Sequence, residues 1–157
     1  MTTFIPANPS PRLVRRFVQH IHAAPERVFP LLCPEMEQRW LPGWTYRMIH
    51  SATGFAEAGA IFATGDAEQP TLWVVVTHEA CQRVGFVRWQ ADGLIVHIEI
   101  TLRARADGGS DVAIAYTYTV AGVGGEAALV RLSEDEWRKM MDFWQSSMNQ
   151  WLADNPS

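Results

Sequence analysis

The last long segment of the chain has the hydrophobic spacing of an amphipathic α-helix. Between Ser133 and Asn155, apolar side chains recur every three or four residues and the opposite face is polar. Ser133 followed by Glu136 matches a capping box, so we expect the helix to begin there. The predicted inner face consists of Trp137, Met140, Met141, Trp144, Met148, Trp151 and Leu152. Phe143 is the one apolar residue off this face, and polar residues such as Gln145 and Asn149 are expected to face water.

Most of the chain before this helix alternates between apolar and polar residues, as half-buried β-strands do. Leu13 to His22 is the first such run, and six more follow. Turn residues such as Asp92-Gly93 separate the later runs, and this close spacing favours consecutive antiparallel hairpins over a parallel sheet. The six later strands are predicted at 46–52, 59–64, 71–78, 83–89, 94–105 and 111–120.

Proline positions predict two short helices between the first and second strands. Pro25 is suited to the first turn of a helix that ends or kinks near Pro30. A second helix is predicted at about residues 35–41, where Pro42-Gly43 stops it. The order of strand, two helices, six strands and long helix predicts an α+β helix-grip fold, in which a curved seven-stranded antiparallel sheet surrounds the C-terminal helix.

Length and composition predict one soluble globular domain. The chain has 157 residues, 48% of them apolar and 19% charged, with a net charge of −4. We expect a single domain over residues 13–157, preceded by a flexible, proline-containing arm at 1–12. Because no cluster of basic residues is present, nucleic acid is not expected as a partner. No segment is long and apolar enough to span a membrane or reads as a signal peptide, so a cytoplasmic location is predicted.

Three short motifs of the chain resemble conserved segments of a known superfamily. Residues 21–29 read I-H-A-A-P-E-R-V-F, residues 40–44 read W-L-P-G-W, and residues 107–112 read D-G-G-S-D-V. They resemble the I-x-A-x-P-E-x-V-[FW], W-x-P-G and G-G-T-x-V segments of the SRPBCC or START-like superfamily, with Ser110 where threonine is usual. The resemblance extends over about residues 13–154 and implies the same helix-grip fold.

The resemblance implies several possible functions. Members of the superfamily include polyketide cyclases and dehydratases, steroid and hormone binders similar to pollen allergens, lipid-transfer domains, and homologues of heat-shock-chaperone ATPase activators. This chain is most similar to the polyketide-cyclase-like and activator-homologue branches. Because one fold hosts many reactions, the resemblance does not select among them.

Two sets of polar residues on the predicted strands are candidates for catalysis or ligand binding. His97 and Glu99 lie on the same face of one strand, where a carboxylate can orient a histidine that acts as a general base. The same alternation also fits a strand whose polar face is simply solvated, and half-buried antiparallel strands usually look like this. On the last strand, Tyr116 and Tyr118 belong to the larger side chains, which are predicted to face inward and place two hydroxyls beneath the helix.

The leading functional prediction is binding of a small hydrophobic molecule, such as a lipid or an aromatic polyketide. A sheet that grips a helix along part of its length leaves a cavity between them, and such cavities bind ligands. The alternatives are a cyclase, dehydratase or hydrolase-like enzyme that uses His97, Glu99 or Tyr118, and a protein-interaction module of the chaperone-activator type. The residues predicted to line the cavity are Trp44, Phe62, Trp73, Phe86, Tyr116, Tyr118, Met141, Trp144 and Met148, and Trp89 is a further aromatic candidate.

Two further motifs do not predict a metal or cofactor site. His20 and His22 lack a third ligand at sensible spacing, so no metal site is predicted. Residues 122–127 match G-x-G-x-x-A, but no parallel strand follows to complete a dinucleotide-binding unit. We expect instead a mobile glycine loop at the cavity mouth, with residues 127–132 as a short lid. No cofactor is predicted, and the protein is expected to be a monomer or a homodimer.

Overall fold

A computed structural model of the protein describes residues 9–156. Its body is one antiparallel sheet of seven strands, in the spatial order β1-β7-β6-β5-β4-β3-β2. The strands are β1 (Arg12–Ile21), β2 (Arg47–His50), β3 (Ile61–Thr64), β4 (Thr71–Glu79), β5 (Arg83–Trp89), β6 (Leu94–Ala104) and β7 (Ser110–Val120). The helices are α1 (Pro25–Val28), α2 (Pro34–Trp40), α3 (Gly125–Val130) and α4 (Glu134–Asp154), and a 3-10 turn covers Phe29–Leu31.

The predicted architecture is confirmed: a curved antiparallel sheet, two short helices after the first strand, and one long C-terminal helix. Every predicted strand is present with ends within two residues of those expected. Most of the arm predicted at residues 1–12 lies outside the described residues, and Arg12 already belongs to β1. No helix among residues 9–156 has the length and apolar character needed to cross a membrane.

The inner face of the sheet follows directly from the period-two pattern of the strands. In β6 the side chains of Leu94, Val96, Ile98, Ile100 and Leu102 are buried against the helices, while the intervening residues face outward. The same alternation buries Tyr116 and Tyr118 in β7, as the size pattern predicted. The core therefore lies between the concave face of the sheet and α4.

Helix α4 packs across the concave side of the sheet and begins as predicted. The Ser133 side chain accepts a hydrogen bond from the backbone N–H of Glu136 at 3.2 Å, which caps the helix. The buried residues of α4 are Trp137, Met141, Met148 and Leu152, and Met140, Trp144 and Trp151 are partly buried. Phe143 is exposed, in agreement with its position off the apolar face.

Side chains of α4 also occupy the outer edge of β1, which the sequence did not predict. The Gln145 carboxamide accepts a hydrogen bond from the His20 backbone N–H at 2.8 Å. Asn149 accepts one from the His22 N–H at 2.8 Å and donates one to the His20 carbonyl at 3.0 Å. The expectation that Gln145 and Asn149 merely face water is therefore wrong, because they satisfy backbone groups that an edge strand leaves free.

Candidate functional site

The sheet and the helices α2 and α4 meet around a small cavity of about 30 Å³. A space of this size holds about one water molecule. Most of its lining is buried, but Glu37, Trp44 and Trp144 on the helical side are only partly buried. The lining residues are Glu37, Leu41, Trp44, Phe62, Trp73, Phe86, Ile98, Ile100, Tyr116 and Trp144. The helical side is therefore where the cavity comes nearest to solvent.

Four aromatic rings of the lining form one packed group. Phe62 and Trp73 are cross-strand neighbours in β3 and β4, and their rings stack with centroids 5.3 Å apart. Phe86 and Trp44 each present an edge-to-face contact to both of these rings, with centroid distances between 6.0 and 6.5 Å. Such edge-to-face pairs are a preferred arrangement of aromatic side chains. The Trp44 indole N–H is fixed by donation to the Pro34 carbonyl at 2.9 Å.

Glu37 brings a carboxylate into this apolar surface. Pro34, Glu37 and Leu41 are spaced by three and four residues, so they share the inner face at α2 and just beyond its end. In residues 9–156 no side-chain hydrogen bond or ion pair of Glu37 is present. The residue is only partly buried, but desolvation by its apolar surroundings raises the pKa of the carboxyl group from the ordinary 4.5 to about 8. At neutral pH Glu37 is therefore mostly a neutral carboxylic acid.

Tyr116 and Arg88 are the polar neighbours of this cavity. Burial raises the pKa of the Tyr116 phenol strongly, and the nearby Glu37 adds to this while Arg88 opposes it. The Arg88 guanidinium lies over the rings of Trp73 and Tyr116, at 5.2 and 5.5 Å from their centroids. Its Nε also donates to the Gln90 side chain at 2.7 Å. Arg88 is thus held by two aromatic rings and an amide.

A second buried polar group surrounds Tyr118. Burial raises the pKa of its phenol, and the positive charges of Arg88 and Arg15 oppose that rise. The Arg15 Nη2 donates to the Leu132 carbonyl at 3.4 Å, whereas the Arg15 Nε and the Trp137 indole N–H have no acceptor within hydrogen-bond distance in the described part of the chain. Tyr118 is not part of the cavity lining.

The structure brings six of the nine predicted lining residues to one cavity: Trp44, Phe62, Trp73, Phe86, Tyr116 and Trp144. Tyr118, Met141 and Met148 are buried in the core but do not line this cavity. Trp89 is 61% exposed, so its suggested place in the lining is wrong. Phe86 and Trp89 are three residues apart in a strand, and strand alternation places them on opposite faces.

His97 and Glu99 lie on the outer face of the sheet, away from the cavity. His97 is exposed, and the Glu99 carboxylate lies 3.5 Å from the Arg83 guanidinium. This is the solvated arrangement that the alternation in β6 also allowed. The histidine–carboxylate pair is consequently not part of the candidate site, and an acid–base role inside the protein needs other residues.

Sequence reasoning missed Glu37 and Arg88. Glu37 falls in a helix of seven residues, which is too short for a clear apolar stripe, although its spacing to Pro34 and Leu41 was a usable signal. Arg88 follows Val84 and Phe86 at every second position of β5, so it shares their inward face. The signal for Arg88 was a charged residue at an inward-facing position of an otherwise apolar strand face.

The glycine loop of residues 122–125 packs against the β5–β6 turn and not against the cavity. The Gly93 carbonyl accepts hydrogen bonds from the N–H groups of Ala121 and Gly122 at 2.8 and 3.1 Å. None of residues 121–132 belongs to the cavity lining. All strand pairs in the sheet are antiparallel, in agreement with the rejection of a dinucleotide-binding unit.

Comparison with known proteins identifies the fold. No protein-family model and no curated protein sequence matches the chain. The solved structure of Ara h 8.0201 is similar with a TM-score of 0.67 at 13% identity, covering 92% of this chain and 100% of that one. A Rhodobacter sphaeroides protein matches with a TM-score of 0.67 at 20% identity, covering 95% of both chains.

A point mutant of Thalictrum norcoclaurine synthase, solved with a transition-state analogue, is a third structural match. Its TM-score is 0.65 at 10% identity, and the match covers 92% of this chain and 98% of that one. At such low identities these likenesses establish the fold and not the activity. The helix-grip fold implied by the START-like resemblance is therefore confirmed.

Proposed function

We propose that the protein binds a small, mainly hydrophobic molecule between the sheet and the helices α2 and α4. The observation that carries this proposal is the convergence of six aromatic side chains and an unpaired carboxyl group on one cavity. Apolar surface buried there contributes about 25 cal/mol per Å², and a few polar groups are enough to orient a ligand. The fold neighbours support the proposal, because Ara h 8.0201 and a norcoclaurine synthase complex share this architecture.

The size of the cavity determines how binding has to occur. At about 30 Å³ it is much smaller than the benzene-sized space of about 150 Å³ that an engineered apolar cavity offers. Trp44 and Trp144 are the partly buried aromatic residues of the lining. We therefore expect a ligand to displace these two side chains, and binding to be accompanied by a change in tryptophan fluorescence.

The first experiment is mass spectrometry of the intact protein purified without detergent, followed by organic extraction of any bound molecule. A panel of one- and two-ring hydrophobic compounds is then titrated by calorimetry and tryptophan fluorescence. Trp144→Ala removes part of the cavity wall, and we expect it to change affinity by about fivefold or more. Trp151→Ala is the matched control, because Trp151 is partly buried on the same helix but lies outside the cavity lining.

Two outcomes contradict the proposal. One is an empty protein whose fluorescence and heat signal stay unchanged with the whole panel. The other is a folded Trp144→Ala variant that binds with unchanged affinity, since this would place the ligand elsewhere on the protein.

Acid–base catalysis is a second candidate function, favoured by the position and state of Glu37. A carboxyl group with a pKa of about 8 is poised to give or take a proton near neutral pH, and Tyr116 places a phenol in the same cavity. This agrees with the cyclase- or dehydratase-like alternative, with Glu37 in place of His97 and Glu99. Turnover of a bound ligand that is lost in Glu37→Gln, with binding retained, would support it, and turnover retained in that variant would contradict it.

A further inference from the structure

We propose that the ligand carries an ammonium group, either a protonated amine or a quaternary ammonium, held between the Glu37 carboxylate and the surrounding aromatic rings. The inference rests on the proposed binding function and names the chemical class of ligand. It follows from three features of the cavity in the described part of the chain: a Glu37 carboxyl group without a counterion, the aromatic surface around it, and a wall whose one other titratable group, Tyr116, has a raised pKa.

Glu37 is an acidic residue without a counterion in the part of the chain that the structure describes. Some other acidic residues have cationic partners there: Glu79 and Glu99 lie near Arg83, and Asp107 and Asp111 bind Arg105. Burial is the sole influence on the pKa of Glu37, and Arg88 does not oppose it. A buried carboxylate with no cation takes up a proton instead, so a cationic ligand would replace that proton.

The rings around Glu37 favour positive charge. The faces of tryptophan, tyrosine and phenylalanine are electrostatically negative and attract cations, and trimethylammonium groups are bound in aromatic cages. Two rings of this cavity, Trp73 and Tyr116, already hold the Arg88 guanidinium at 5.2 and 5.5 Å, which shows that its rings can bind a cation. The other aromatic rings of the lining have no cation over them among the described residues, so the ammonium group would contact those rings. A neutral ligand would gain contact area from these rings but not this electrostatic attraction.

Among the described residues, the cavity wall holds one other titratable group, Tyr116 on β7, whose pKa is raised well above its ordinary value. Arg88 on β5 lies over the Tyr116 ring, and α4 contributes the uncharged Trp144. Glu35, on the same helix as Glu37, is hydrogen-bonded to Tyr46 and does not line the cavity. A pH dependence of binding between pH 6 and 9 would therefore report Glu37.

The test compares phenyltrimethylammonium with tert-butylbenzene, a neutral compound of nearly the same shape. Both are titrated by calorimetry into the wild-type protein, Glu37→Gln and the control Glu35→Gln at several values between pH 6 and 9. Phenyltrimethylammonium does not titrate, so its affinity should rise about tenfold per pH unit up to the pKa of Glu37 and then level off. The affinity for tert-butylbenzene should stay constant or fall slightly.

The outcomes separate this inference from the proposed function. We expect Glu37→Gln to abolish both the preference for the cation and its pH dependence while retaining tert-butylbenzene binding, and Glu35→Gln to behave as wild type. Equal or tighter binding of tert-butylbenzene throughout the pH range would overturn the ammonium inference and leave hydrophobic binding intact. If neither compound nor any member of the hydrophobic panel binds, the proposed function itself fails.

Discussion

Replacing Glu37 by glutamine tests how strongly the fold disfavours its carboxylate form. The pKa of Glu37 is about 8 in the folded protein, against an ordinary value of 4.5 that applies to the unfolded chain. Between these values the folded protein keeps a proton that the unfolded chain has released. The contribution of Glu37 to the free energy of unfolding is therefore fully present below about pH 4.5 and falls by about 1.36 kcal/mol per pH unit until pH rises through the folded pKa.

The expected size of this effect is large for a single residue. Across the interval from 4.5 to about 8, the wild-type protein loses up to about 5 kcal/mol of stability, which is comparable to the whole stability of many small domains. Glu37→Gln carries a neutral amide of nearly the same shape and has no proton to lose. Its stability relative to wild type should therefore rise with pH, and it should be the more stable protein above about pH 8.

Urea denaturation at intervals from pH 5 to pH 9 measures this difference. Other titrating groups are common to both proteins and cancel when the two free energies are subtracted. Glu35→Gln controls for removing a carboxylate from the same helix. Parallel stability curves for wild type and Glu37→Gln would refute the reasoning, because they would mean that Glu37 ionises in the folded protein near its ordinary pKa.

Four further substitutions test the fold around the site by urea denaturation. Asn149→Ala removes two hydrogen bonds to the backbone of β1 and should cost about 1–3 kcal/mol, and an unchanged stability would show that water replaces them. Trp73→Ala should cost about 3–5 kcal/mol, while Trp89→Ala should cost about 0.5 kcal/mol or less; similar losses for both would contradict their assignment to opposite faces. Gly93→Ala should destabilise by about 1–3 kcal/mol, because φ is +92° and the added Cβ would lie 2.6 Å from the Val123 carbonyl oxygen, and a neutral effect would mean that the turn relaxes freely.

The architecture could be predicted because long periodic segments dominate the chain. The apolar stripe of α4 and the alternation in β6 and β7 are each sustained over eleven or more residues, so the face buried by each element was clear. Trp89 was misplaced because it was grouped with Phe86 as an aromatic residue of the same strand, without counting the odd spacing between them.

The candidate site was predicted only in part, because its polar members depend on tertiary contacts. Six aromatic residues of the lining could be named from the sequence, but Glu37 belongs to a short helix whose burial is set by the sheet beneath it. Gln145 and Asn149 bind backbone groups more than a hundred residues away along the chain, and such contacts leave no local pattern. Sequence periodicity predicts which face is buried, not what a polar side chain will meet there.

The hydrogen bonds between α4 and β1 protect an edge of the sheet from pairing with a strand of another molecule. β1 is an edge strand, and the backbone groups of His20 and, just beyond the strand's end, of His22 are occupied by Gln145 and Asn149, so another strand cannot pair with this end of β1. Trp144, which we expect a ligand to displace, directly precedes Gln145. Moving this part of α4 to admit a ligand would also weaken the hydrogen bonds that cover this end of β1. Ligand exchange and pairing with a strand of another molecule would then both require the same movement of α4.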